Sequence, residues 1–133
     1  LMELRFTKEE RIHKREDISQ LFQKGDSFVV FPFKVIHRLV PSEDEANSSL
    51  KFGFSVPKKN FKKAVDRNLL KRRMKEGYRL HRKPLKEAIK QEKNCLHCML
   101  VYIGREEMDY ATLEDKIILL LQRLQGIYAE NNQ

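Results

Sequence analysis

Leu50, Phe52, Phe54 and Val56 alternate with Lys51, Gly53 and Ser55. Alternation of apolar and polar side chains sends one set to each side of an extended chain, so this segment reads as a half-buried strand with one side on a core. The period then changes. A loop of Lys58–Lys63 leads into a segment from about Ala64 to His81 whose apolar positions recur at helical spacing. A strand that passes through a short loop into a long amphipathic helix confines the chain to folds in which helices cover a sheet.

The other segments complete an α+β pattern. Thr7-Lys8-Glu9-Glu10 has capping-box spacing and marks a first helical turn. Ile18, Leu21 and Phe22 form a short helical stripe, with Gly25 as its stop. Residues 27–40 are rich in β-branched and aromatic side chains, and Pro32 makes them two strands or one edge strand with a bulge. Pro41 to Ser49 is polar and reads as a hairpin loop. Pro84 interrupts the helical pattern, and Leu85–Lys93 can form a second short helix. Leu96–Ile103 reads as a buried strand, and Thr112 can cap a final helix with Ile117, Leu120, Leu121, Leu124 and Ile127 as its stripe. The order is helix, strand, strand, strand, helix, strand, helix, which gives a single-domain α-β sandwich of about four strands and three helices. A length of 133 residues fits one domain, 1–133. Roughly six residues at the N-terminus and five at the C-terminus are expected to be disordered.

Charge is concentrated where the helix lies. The net charge is +8, and residues 58–93 hold fifteen Lys and Arg against Asp66, Glu76, Glu87 and Glu92. At about 100° per residue, Leu70, Met74, Gly77 and His81 fall on one side of the helix, with Tyr78 beside them. Asn68, Lys71, Arg72, Lys75, Arg79 and Arg82 fall within an arc of roughly 100° on the other side, with Arg67 at the seam. Arg forks bridge phosphate oxygens, Lys adds point charge, and an Asn amide suits a base edge or a ribose hydroxyl. Like charges four residues apart, Lys71 with Lys75 and Lys75 with Arg79, weaken a helix unless a partner neutralises them. The pattern points to a polyanion, RNA or DNA.

The stretch Phe52-Gly-Phe-Ser-Val-Pro-Lys-Lys-Asn-Phe-Lys-Lys-Ala-Val-Asp-Arg-Asn-Leu-Leu-Lys-Arg-Arg-Met-Lys-Glu resembles the signature of the bacterial ribonuclease P protein family. A strand ending in Lys58-Lys59 leads to a helix carrying Ala64, Arg67, Asn68, Lys71, Arg72 and Glu76 at the family's positions; Arg11-Ile12, Phe22 and Gly25 echo its N-terminal pattern. The resemblance covers residues from about 5 to 80. It departs at Leu69, where the family has a third basic residue, at Lys75, where Arg is usual, and at Ile18, where an aromatic is usual. It implies a protein subunit that is monomeric within its complex, binds the catalytic RNA of ribonuclease P through Arg67, Asn68, Lys71, Arg72, Lys75 and Arg79, and assists removal of the 5′ leader from precursor tRNA. It further implies a leader cleft lined by Phe22, Phe33, Ile36, Ser55, Lys58 and Lys59, a left-handed strand–helix–strand crossover, and hydrolysis carried by RNA and its bound magnesium, with no catalytic residue and no metal ligand on this chain. The alternative is a ribosome-associated or other RNA-binding protein without enzymatic role.

Other classes fit less well. The carboxylates are scattered, without the spaced set near His that two metals on a phosphodiester need. Cys95-Leu-His-Cys98 offers three ligands to a zinc ion that needs four, and a strand sends Cys95 and Cys98 to opposite sides. The histidines lack neighbouring nucleophiles, and there is no Gly-rich phosphate loop. A DNA-reading helix-turn-helix needs a helix before the basic helix, whereas a strand precedes it here. The longest apolar runs, Cys98–Ile103 and Ile117–Leu121, are too short to span a bilayer, and no signal-peptide pattern opens the chain, so a cytoplasmic location away from membranes is expected.

Overall fold

The computed structural model describes residues 6–42, 49–90 and 93–131. β1 (Asp26–Val30), β2 (Phe33–Pro41), β3 (Leu50–Ser55) and β4 (Asn94–Tyr102) form one sheet in the order β1-β2-β4-β3. β4 is antiparallel to β2 and parallel to β3. The helices are α1 (Arg15–Lys24), α2 (Ala64–His81), α3 (Lys83–Lys90) and α4 (Tyr110–Asn131), preceded by a 3-10 turn at Lys8–Glu10. The class is the expected α+β. There is one helix more than expected, because Pro84 lies in the first turn of α3, where its missing N–H leaves no bond unmade.

Two expectations are corrected by the topology. Pro41 to Ser49 is not a hairpin loop, since β4 lies between the strands it joins; residues 43–48 are outside the described ones. β4 takes the centre because it is apolar on both sides, with Leu96, Cys98, Leu100 and Tyr102 on one and Cys95 and Met99 on the other, all buried. The final helix is capped by Asp109, whose Oδ1 accepts from the Thr112 backbone N–H at 2.8 Å, rather than by Thr112 itself. Pro32 divides residues 27–40 into β1 and β2, and Val30 pairs with Phe33 across the turn.

The core lies between one side of the sheet and α2, α3 and α4. Phe33, Val35, Phe52, Leu96, Cys98, Leu100 and Tyr102 meet Leu70, Met74, Tyr78, Leu85, Ile89, Leu113, Ile117, Leu120 and Leu124 there. Complete burial of one such aliphatic or aromatic side chain contributes about 1.5–3 kcal/mol. Tyr128 on α4 is tied to β2 by a hydrogen bond of 2.6 Å between its hydroxyl and His37 Nδ1.

The opposite side of the sheet is only partly covered, by α1. Ile12 and Leu21 pack there on Ile36 and Met99. The Ile12 N–H donates to the Phe52 carbonyl at 3.1 Å, so the chain enters at the β3 edge and α1 then crosses toward β1. Gly53 permits that entry: a Cβ there would lie 2.8 Å from Ile12 Cγ2 and 2.7 Å from Met99 Cε. Gly25 permits the exit, where a Cβ would be 2.5 Å from the Leu21 carbonyl oxygen. The 3-10 turn is fastened by Glu10, only 1% exposed, whose Oε1 accepts from Arg82 Nε at 2.8 Å and Lys86 Nζ at 3.0 Å. Of the terminal residues expected to be disordered, Phe6 packs edge-on against Phe54 and Tyr78, and α4 runs to Asn131; Leu1–Arg5 and residues 132–133 are outside the described ones.

Candidate nucleic-acid interface

The basic side of α2 is positioned by its apolar side. Leu70, Met74, Gly77 and Tyr78 are buried against the sheet and α4, which turns Asn68 and Arg72 fully outward and leaves Lys71 and Lys75 half-exposed. Lys71, Arg72 and Lys75 make no ion pair among the described residues. Arg11, on the segment paired with Phe52, adds its charge beside them: burial first, then Arg11 and Lys71, lowers the Lys75 pKa. In the sequence Arg11 belongs only to an N-terminal pattern. Placing it beside Lys75 needs the pairing of residue 11 with residue 52, which no local periodicity carries.

The other cations expected on this face are partly engaged within the protein. Arg79 Nη2 donates to Glu76 Oε1 at 2.6 Å, which holds the Glu76 carboxyl below its usual pKa and raises that of Arg79. Arg67 Nη1 donates to the carbonyls of Phe61 at 2.8 Å and Lys62 at 2.9 Å, so it closes the loop between β3 and α2. Arg82, within the basic arc by angle, is buried with Glu10. Leu69 is half-buried at the border of the two sides.

The proposed cleft residues do not all share one surface. Phe33 is fully buried on the helix-covered side, edge-on to Tyr102 at 5.9 Å, so it does not line an open cleft. Ile36, three residues on, points to the α1 side but is covered by Ile12, Leu21 and Met99. Ser55 is on that side and half-exposed, Lys58 and Lys59 are exposed in the loop beyond it, and Phe22 on α1 is 51% exposed. The register completes the surface with a row that runs across all four strands: Val29 opposite Lys34, Lys34 opposite Val101, and Val101 opposite Ser55. Val29 and Lys34 are exposed and Val101 half-exposed. This row is a half-open floor of apolar surface, one ammonium and one hydroxyl, suited to unstacked bases and a backbone, and Phe22 is exposed on α1, the helix on the same side of the sheet.

No group of three or more His, Cys, Asp or Glu able to hold a metal occurs among the described residues. Cys98 is in the core, whereas Cys95 faces the α1 side, so one ion cannot bind both. Burial raises both thiols, Cys95 to about 11, which makes them poor nucleophiles. No helix among the described residues is long and apolar enough to cross a membrane.

A core under three helices on one side of the sheet, a second side that α1 covers only in part, and a helix face on which Lys71, Arg72 and Lys75 make no ion pair among the described residues define a nucleic-acid-binding α+β domain. The family model described as Ribonuclease P matches residues 6–125. The ribonuclease P protein component of Porphyromonas gingivalis (strain ATCC 33277) is 33% identical over 120 residues, covering 90% of this chain and 86% of that protein. That of Dictyoglomus thermophilum is 30% identical over 122 residues, covering 89% and 90%. The solved ribonuclease P protein of Thermotoga maritima shares the fold, with a TM-score of 0.66, 24% identity, and coverage of 86% of this chain and 96% of that one. The chain belongs to the ribonuclease P protein family.

Proposed function

We propose that α2 docks the chain onto the catalytic RNA of ribonuclease P, and that Phe22 with the Val29–Lys34–Val101–Ser55 row holds the single-stranded 5′ leader of precursor tRNA. Family membership makes the chain a subunit of the ribonuclease P ribonucleoprotein, which processes tRNA. The observation that carries the docking surface is the cationic group Lys71, Arg72 and Lys75, unpaired among the described residues, with Arg11 beside it. Each cation set against a phosphate releases condensed counterions, and the free energy of that release favours association. The leader surface rests on an exposed aromatic of α1 and a sheet row that carries Lys34, with Lys58 and Lys59 just beyond its end.

In this reading the RNA and its bound magnesium carry the hydrolysis. The protein screens repulsion between two polyanions and adds leader affinity, acting as a monomer within a cytoplasmic complex. The test is precursor-tRNA cleavage at low magnesium. The chain alone is expected to cleave nothing, and addition of the chain to ribonuclease P RNA is expected to restore cleavage that the RNA alone has lost. Full activity of the RNA without the chain under those conditions would remove the accessory role.

A further inference from the structure

α1 crosses the open side of the sheet over the row Ile36–Met99–Gly53 and divides it into two grooves. One is the leader surface. The other, of about 850 Å³, lies on the far flank of α1. Its floor is the next row of the sheet, in which Arg38 is opposite His97 and His97 opposite Lys51, and its wall is the start of α1 with Lys14 and Arg15. None of Lys14, Arg15, Arg38 and Lys51 makes an ion pair among the described residues. The acids in its lining, Glu16 and Asp17, occupy the first turn of α1, where they complement the helix N-terminus, and Asp17 also faces the floor at Cys95 and His97. Four cations in one concavity against two carboxylates leave a positive excess that nothing within the described residues neutralises.

We propose that this groove is a second RNA site, binding a phosphate-backbone segment of the same catalytic RNA that rests on α2. The proposal builds on the function given above. Two features select the occupant. The groove has no Phe, Tyr or Trp in its lining and its one imidazole, His97, is buried, so it offers the splayed bases of a leader less stacking surface than the Phe22 side does, and its donors are ammonium and guanidinium groups suited to phosphates. It is also continuous with the α2 face around the β3 edge: Arg11, beside Lys75, bridges to Phe52, whose neighbour Lys51 lines the groove, and Lys14 follows three residues later. One backbone can pass from α2 over Arg11 to Lys51 and Arg38, while α1 separates it from the leader. Recognition there is independent of sequence.

The experiment is equilibrium binding of the full chain to ribonuclease P RNA alone over a fourfold salt range, comparing wild type, Arg38→Gln/Lys51→Gln and Lys14→Gln/Arg15→Gln. Native circular dichroism and an unchanged unfolding midpoint identify folded variants; the second pair is on an exposed helix start and does not depend on the sheet. Loss of two phosphate contacts is expected to flatten the log–log salt slope by about 1.4–1.8, so the low-salt to high-salt affinity ratio falls roughly 7- to 12-fold. Wild-type slopes in both folded pairs, with Arg72→Ala flattened, would overturn the groove and leave the α2 reading intact. A defect that appears only with leader-bearing precursor tRNA would overturn the assignment to the catalytic RNA. Absence of binding by wild type would overturn the functional reading and the groove with it.

Discussion

Arg72 and Arg67 are five residues apart on α2, yet the structure gives them different work, and paired substitutions separate it. Arg72 is exposed and unpaired among the described residues, so Arg72→Ala should change folding stability by no more than about 0.5 kcal/mol. If it faces a phosphate, its loss flattens the salt slope by about 0.7–0.9, which over a fourfold rise in salt is roughly a threefold change in the affinity ratio. Arg67 instead donates from one nitrogen to the carbonyls of Phe61 and Lys62, at 2.8 and 2.9 Å. Hydrogen bonds to a charged group contribute about 1.5–3 kcal/mol when buried. Arg67 is half-exposed, so about 1–2 kcal/mol for the two together is the reasoned loss in Arg67→Ala. The same loss frees the loop that presents Lys58 and Lys59, so RNA affinity should drop as well. Urea unfolding gives the stability difference, and binding at several salt concentrations gives the slopes. Arg67→Lys should restore part of the slope and little of the stability, because an ammonium cannot hold the planar fork. Equal stability of Arg67→Ala and Arg72→Ala would refute the loop-closing role; an unchanged slope in Arg72→Ala would remove that residue from the interface.

Glu10→Ala should destabilise the fold by about 1.5–3 kcal/mol, read as a lower urea midpoint, because it removes the buried carboxylate that accepts from Arg82 Nε and Lys86 Nζ; a shift under ~1 kcal/mol would show that the pair is solvated. Phe22→Ala should leave stability near wild type, since the ring is half out of the protein, and should weaken precursor tRNA with a long leader by roughly 5- to 150-fold relative to leaderless tRNA if one base stacks on it. Equal losses for the two RNAs would assign the ring a folding role. Burial, opposed by Asp26 and aided by Arg123, lowers the His37 pKa, so the unfolded chain binds more protons than the native one just below pH ~6.5. Stability is therefore full above that pH and declines as pH falls through it. His37→Gln should flatten this limb of the stability–pH curve, and an unaltered limb would place the linkage elsewhere.

The Leu50–Val56 alternation and the Ala64–His81 period located β3 and α2 closely, because each is a local pattern that burial on one side enforces. Strand order was not local. Nothing between Pro41 and Ser49 announces that β4, more than forty residues later, will separate β2 from β3. The cleft was half legible for a related reason. Phe33 and Ile36 were both assigned to it, yet residues three apart on one strand face opposite sides, and the fully buried Phe33 had to go to the core once Ile36 faced α1. Applying parity to Ile36 would have pointed to Lys34, and register then supplies Val29 and Val101.

The basic face shows where such reading stops. Helical period selects which cations point outward, but not which are already neutralised. Glu76 and Arg79 are three apart on one helix and their pairing follows from sequence. The pairing of Arg82 with Glu10 joins residues 72 positions apart, and the bonds of Arg67 depend on how the β3–α2 loop folds back. Subtracting Arg79, Arg82 and Arg67 leaves Lys71, Arg72 and Lys75, and the fold then returns Arg11 to the group. A cation's availability is thus a tertiary property. This is why the second groove, whose Arg38 and Lys51 come from strands that are not neighbours and meet only through His97 on β4, leaves no mark in any single segment of the chain.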